Sequence, residues 1–91
     1  MRIAVAVILC AITGCSAISY ERQVEGPAEA EIAAAEKAGA ERRAPYFYAL
    51  AVSYLMRARE FSAHADYDSA RLFGQKATDA ARKARHQAGT K

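Results

Sequence analysis

Tyr67, Ala70, Gly74, Ala77, Ala81, Ala84 and Ala88 recur at steps of three and four, the repeat of one face of an α-helix. No proline interrupts residues 67–88. This stripe commits the segment to a helix and restricts what can lie against it. Alanine and glycine bury little area of their own. Their contribution is to let a second helix come close, since the distance between packed helices is set by the side chains at the contact. The partner helix must then bring the bulk.

That bulk lies immediately upstream. Phe47, Ala51, Tyr54, Ala58 and Phe61 follow at steps of 4, 3, 4 and 3, and Leu50 and Leu55 widen the stripe. Pro45 suits a first helical turn, where its missing N–H is not needed, so the spacing predicts a helix over 45–63. His64-Ala65-Asp66 breaks it, with His64 placed where a partial positive charge favours a helix end. Asp66 suits the N-cap of the next helix, expected over 67–87, because its carboxylate can accept orphan backbone N–H groups. A connection this short makes the two helices antiparallel neighbours. On the outer face, Asp79 and Lys83 sit one turn apart and are expected to pair, worth about 0.2–0.5 kcal/mol.

A third helix precedes these. Gly26-Pro27 reads as its start and Gly39 as its stop, which predicts a helix over 27–38. Gly39 to Ala44, with Glu41, Arg42 and Arg43, reads as a polar connection. Ser16 to Gly26 is polar and without period, so residues 15–26 read as a tether. The fold class is therefore all-α: a small three-helix arrangement over 27–88, built on an antiparallel hairpin, with 89–91 as a tail. Alanine supplies 23 of 91 residues, which favours helix and forecasts a thin core. A chain this short forms one domain at most.

The N-terminus is of another kind. Met1-Arg2 is a minimal positive region and Ile3 to Ile12 an apolar run. A membrane-spanning helix needs about 20 apolar residues, and this run stops at Thr13-Gly14-Cys15. Ile12-Thr13-Gly14-Cys15 resembles the bacterial lipoprotein signal, hydrophobic-small-small-Cys, with Ile12 for the commoner Leu and Thr13 for the commoner Ala. The resemblance implies that residues 1–14 form a signal helix that is cut off between Gly14 and Cys15. It further implies that the Cys15 thiol and new amine are acylated, so that a covalent lipid is the one attached group expected, with no other cofactor. Two or more chains make such an anchor stable. Ser16, rather than Asp, after the cysteine implies outer-membrane sorting facing the periplasm in a Gram-negative cell. An ordinary signal peptide cut near Ser16-Ala17 and an uncleaved signal anchor are the alternatives. Cys10 leaves with the signal, so the two cysteines do not form a disulfide framework.

Charge is uneven along the rest. Residues 15–56 hold four basic and six acidic side chains, and residues 57–91 eight basic and four acidic. Arg82, Lys83 and Arg85 form a basic end to the last helix, either a solvated terminus that complements the helix dipole or a surface for anionic headgroups or an acidic partner. Tyr46, Phe47 and Tyr48 cannot all face one core on a helix. Phe47 is the expected core residue, and Tyr46 and Tyr48 join the basic cluster as a candidate partner surface. His64 and His86 lie too far apart, with no clustered ligands, to suggest a metal site. No nucleophile–base pattern, phosphate-cradling loop or nucleic-acid motif occurs.

Tyr54…Ala58…Phe61…Ala65-Asp66-Tyr67…Ala70…Ala77 resembles a tetratricopeptide repeat, a helix-turn-helix with a Gly-Asp-Tyr turn. Arg57 stands where that repeat has an aliphatic residue, and Gly74 where it has a bulky aromatic. Ala33-Ala34-Ala35-Glu36-Lys37-Ala38-Gly39-Ala40, Ala44-Pro45 and Ala65-Asp66-Tyr67-Asp68-Ser69-Ala70-Arg71 together are similar to a family of short Ala-rich bacterial lipoproteins. The domain shared by that family has no assigned function, and some members sit beside or fuse to peptidoglycan-binding outer-membrane modules. The resemblance implies an envelope location and no enzymatic activity. The expectation is a membrane-tethered helical binding or scaffolding module with an envelope protein partner, rather than nucleic acid or a small-molecule substrate. A small membrane-surface-active or stress-type peptide is the alternative.

Overall fold

The computed structural model describes residues 17–89, which are helical apart from three short breaks at 38–39, 44 and 64–66. Residues 17–20 are helical, and Glu21–Glu25 form a π-helical turn that runs straight into α1, Gly26–Lys37. A single short turn, α2, spans Ala40–Arg43. The long helices are α3, Pro45–Ala63, and α4, Tyr67–Gly89. The signal helix expected over 1–14 and the cysteine at 15 lie outside the described residues.

The tether reading of 15–26 is corrected over its described part. Tyr20 and Val24 are 2% and 5% exposed, packed with Ala70 beside Phe61 and Tyr67. Gly26-Pro27 opens α1 as expected, with the proline in its first turn, but helical backbone already precedes it. Pro27 has no N–H and its ring would strike the carbonyl four residues back, which ordinarily breaks a helix. The π-turn widens the backbone at this point, and the Gly26 N–H reaches back five residues to the Glu21 carbonyl. Local π geometry of this kind absorbs an irregularity without ending the helix.

Gly39 ends α1 as expected, at φ 82°, its N–H donating to the Glu36 carbonyl at 2.9 Å. The predicted polar connection is tighter than its composition suggests. Its middle is helical, and Ala40 and Ala44 are buried with Ala35, Ala84 and Ala88. Ala44 leaves the helical region at φ −138°, ψ 57°, which separates the two helical stretches, and Pro45 opens α3, the α conformation being disfavoured before a proline.

The α3–α4 turn is a Schellman motif. The Ala65 N–H donates to the Ser62 carbonyl and the Asp66 N–H to the Phe61 carbonyl. Asp66 then caps α4, accepting the Ser69 N–H at 3.2 Å. Ala65 itself sits at φ 60°, the left-handed region where a Cβ costs about 1–2 kcal/mol. Ala65→Gly is therefore expected to stabilise the protein by about 1 kcal/mol, read as a higher midpoint in urea denaturation.

The helices run up, down and up. Phe61 stacks on Phe73 near the turn and Lys83 covers Phe47 at the far end, so α3 and α4 are antiparallel. α1 lies parallel to α4. Four layers follow one another along the bundle: Tyr20–Val24–Ala70, Ala28–Leu55–Ala77, Ala51–Ala80–Ala81, and Ala35–Ala40–Ala44–Ala84–Ala88. The α4 stripe read from sequence is buried from Ala70 through Ala88, and Tyr67 at its head is half-buried. Tyr20 is the largest fully buried side chain. A core of alanines with only Tyr20, Val24 and Leu55 as larger buried side chains is the thin core that the composition implies.

Candidate interaction surfaces

Two rims of basic residues hold α1 on the hairpin. Arg59 of α3 donates from Nε to Glu25 Oε1 at 2.9 Å and from Nη2 to Glu29. Across the bundle, Glu31 sits between Arg82 Nε at 3.8 Å and Arg85 Nη2 at 3.2 Å. Tyr48 donates its hydroxyl to Glu36. These contacts divide the five-residue surface predicted from sequence. Tyr48, Arg82 and Arg85 face α1 and are engaged with its glutamates. Tyr46 stays 69% exposed, its ring edge-on to Phe47 at 5.1 Å between centroids. Lys83 lies 5.8 Å from the Phe47 ring centroid. The predicted Asp79–Lys83 ion pair does not form among the described residues; the Lys83 ammonium lies over the Phe47 ring instead.

The remaining members of the predicted site are Gly14 and Cys15, which lie outside the described residues. The last turns of α4 and Phe47 border an open concavity of about 930 Å³, lined in part by Arg82, Lys83, Arg85 and His86. His64 closes α3, its N–H shared between the Phe61 and Ser62 carbonyls. Among the described residues no three His, Cys, Asp or Glu side chains converge on a metal position, and no helix is long and apolar enough to cross a membrane.

Sequence reasoning missed the contact that joins the N-terminal segment to the hairpin. Tyr20, Val24, Ala28, Ile32 and Ala35 recur at steps of 4, 4, 4 and 3, and this is the face that α1 and its leading turn bury. Gly74 belongs to the same contact. A Cβ built there would lie 2.2 Å from Val24 Cγ1, so Val24 fills the space that an aromatic fills in the tetratricopeptide pattern. Tyr20 pays for its enclosure with an unpartnered hydroxyl. Glu25 and Ser62 lie nearby without completing a hydrogen bond to it in good geometry.

Two tyrosines give the fold an alkaline limit. Burial first, then the neighbouring Glu25, pushes the Tyr20 phenol up from 10.0 to about 12. The hydrogen bond to Glu36 first, then burial, pushes Tyr48 up to about 12 as well. Both groups hold their proton more tightly folded than unfolded. Their contribution is therefore complete below pH 10 and is lost as pH rises from 10 to about 12. Urea titrations across that window should show stability falling with pH. Tyr20→Phe should make the fall shallower.

Comparison with protein-family models, with curated proteins and with solved structures finds no match to this chain.

Proposed function

We propose that this protein is a non-enzymatic lipoprotein of the bacterial cell envelope, a helical binding or scaffolding module held at a membrane by acylated Cys15 and facing the periplasm. The observation that carries the reading is Ile12-Thr13-Gly14-Cys15 at the end of a short apolar run. The body that follows supports it. Its interior is apolar, with no buried charged residue among the described positions. Arg59, Arg82 and Arg85 join the hairpin to Glu25, Glu29 and Glu31 of the N-terminal helical segment. The turn supports the tetratricopeptide-like reading of the hairpin, since Ala65 takes the left-handed conformation where that repeat has glycine. Such hairpins are interaction scaffolds.

The alternative reading, a basic helix lying on lipid, has less support. It needs the apolar face of α4 to be free, and that face is covered by α1 and α3. The test of the anchor is metabolic labelling with an alkyne fatty acid in cells expressing the wild-type chain or Cys15→Ser. Label on the wild type and none on the variant is the expected result. An unlabelled wild type removes the anchor.

A further inference from the structure

The hairpin has two faces, and α1 covers one of them. At 3.6 residues per turn, Tyr48 and Arg59 of α3, together with Arg82 and Arg85 of α4, mark the side turned to α1. A second pair of stripes runs along the opposite side. On α3 it is Phe47, Leu50, Tyr54, Arg57 and Phe61, at steps of 3, 4, 3 and 4; on α4 it is Phe73, Lys76, Ala80 and Lys83, at steps of 3, 4 and 3. The stripes meet in a row of half-buried rings: Phe61 lies 5.4 Å from Phe73, and Phe73 6.0 Å from Tyr54. Phe61 at the end of the row also borders the Tyr20–Val24–Ala70 layer, and all three rings remain partly exposed.

The three cations on this side sit over rings. Lys76 Nζ is 5.7 Å from the Tyr54 centroid and 5.4 Å from that of Phe73, and Lys83 stands over Phe47. Arg57 lies 5.5 Å from the Phe61 centroid and pairs with Glu60. Neither Lys76 nor Lys83 forms an ion pair among the described residues. Between them lies a groove of about 210 Å³, floored by Leu50, Tyr54 and Ala80 and holding one acid, Asp79.

We propose that this face is a second docking site, one that receives an amphipathic helix with acidic flanks from a partner protein. The proposal rests on the binding-module reading and gives that partner a chemistry. α1 supplies the pattern: on the covered face, Glu25, Glu29 and Glu31 of the docked helix meet Arg59, Arg82 and Arg85 at the rims of the hairpin. On the open face Lys76 and Lys83, two turns apart, offer the same complement to carboxylates at matching spacing. Apolar residues of the incoming helix would cover the ring row, as in other helix-in-groove complexes. A second copy of the chain fits less well, since pairing this face with itself brings the lysines of both copies together. A lipid surface also fits less well. The rings are sunk between the helices rather than standing out where they could enter a headgroup layer.

The test uses the full chain in detergent and a synthetic helical peptide of about 18 residues, near the length of α3. Its leucines are spaced at three and four, and glutamates flank them; a control peptide carries lysines in place of the glutamates. The glutamate peptide should bind, and the Lys76→Glu/Lys83→Glu pair should weaken it about tenfold or more. Both lysines are exposed, and circular dichroism should show the variant folded. No binding of the glutamate peptide, equal binding of the lysine peptide, or indifference to the charge reversal overturns the proposal. So does a dimer in sedimentation that the reversal abolishes, or binding to phosphatidylglycerol vesicles without peptide binding. An unlabelled Cys15 would remove the anchor and leave this result unaffected.

Discussion

Gly74→Ala is expected to destabilise the protein by about 1–3 kcal/mol, the usual range for a methyl forced into a filled site. The expectation runs against helix propensity, which favours alanine over an interior glycine by about 1 kcal/mol. Geometry decides between them. The new Cβ would lie 2.2 Å from Val24 Cγ1 and 3.6 Å from Val24 Cβ. Valine branches at Cβ and has little rotamer freedom with which to withdraw, so the backbone of the leading turn must move. Val24→Ala in the same chain removes the colliding methyl, and the pair should recover much of the loss. A double-mutant cycle by chemical denaturation should therefore show favourable coupling of at least about 1 kcal/mol. If residues 17–25 were a free tether, Gly74→Ala would stabilise the protein and Val24→Ala would do nothing.

Tyr20 should separate packing from hydrogen bonding. Tyr20→Ala removes the largest fully buried side chain, and losses of that kind cost about 3–5 kcal/mol. In a core made mostly of alanine, that loss should leave much of the protein unfolded at 37 °C. Tyr20→Phe removes only the hydroxyl, which is enclosed without a partner. Deleting an unsatisfied polar group costs nothing and can stabilise, so the phenylalanine variant should melt at or above the wild-type temperature. The opposite responses at one position would show that the ring, and not its hydroxyl, ties the N-terminal segment to the hairpin.

The helical hairpin was legible because its punctuation is local. Pro45, Asp66 and the steps of three and four around them are each read within one or two turns, and α3 spans Pro45–Ala63 as expected. Gly39 worked for the same reason. The leading segment was not legible, because its pattern is diluted. Glu21, Arg22, Gln23 and Glu25 surround Tyr20 and Val24, and Gly26-Pro27 has the form of a helix start. Only a backbone free to widen into a π-turn carries a helix through that proline. Gly74 was legible as a departure from the tetratricopeptide pattern, but its cause is a residue fifty positions away in sequence. The partner surface was half legible. Basic and aromatic residues were identified, yet which of them face α1 depends on the tertiary position of α1, and that depends on the segment taken for a tether.

That segment also determines what an anchor at Cys15 would do. Ala17 is already helical, and Tyr20 is buried five residues after the cysteine. A lipid on Cys15 would therefore hold a folded body close to the membrane, with its faces in a restricted orientation, rather than let it swing on a leash. The most direct measurement is amide hydrogen exchange of the full chain, read at residues 24–26 against the middle of α3. Docking of the leading turn predicts that these amides exchange as slowly as those of Leu55 and Ala58. Exchange at unprotected rates in 24–26, with α3 and α4 still protected, would contradict it.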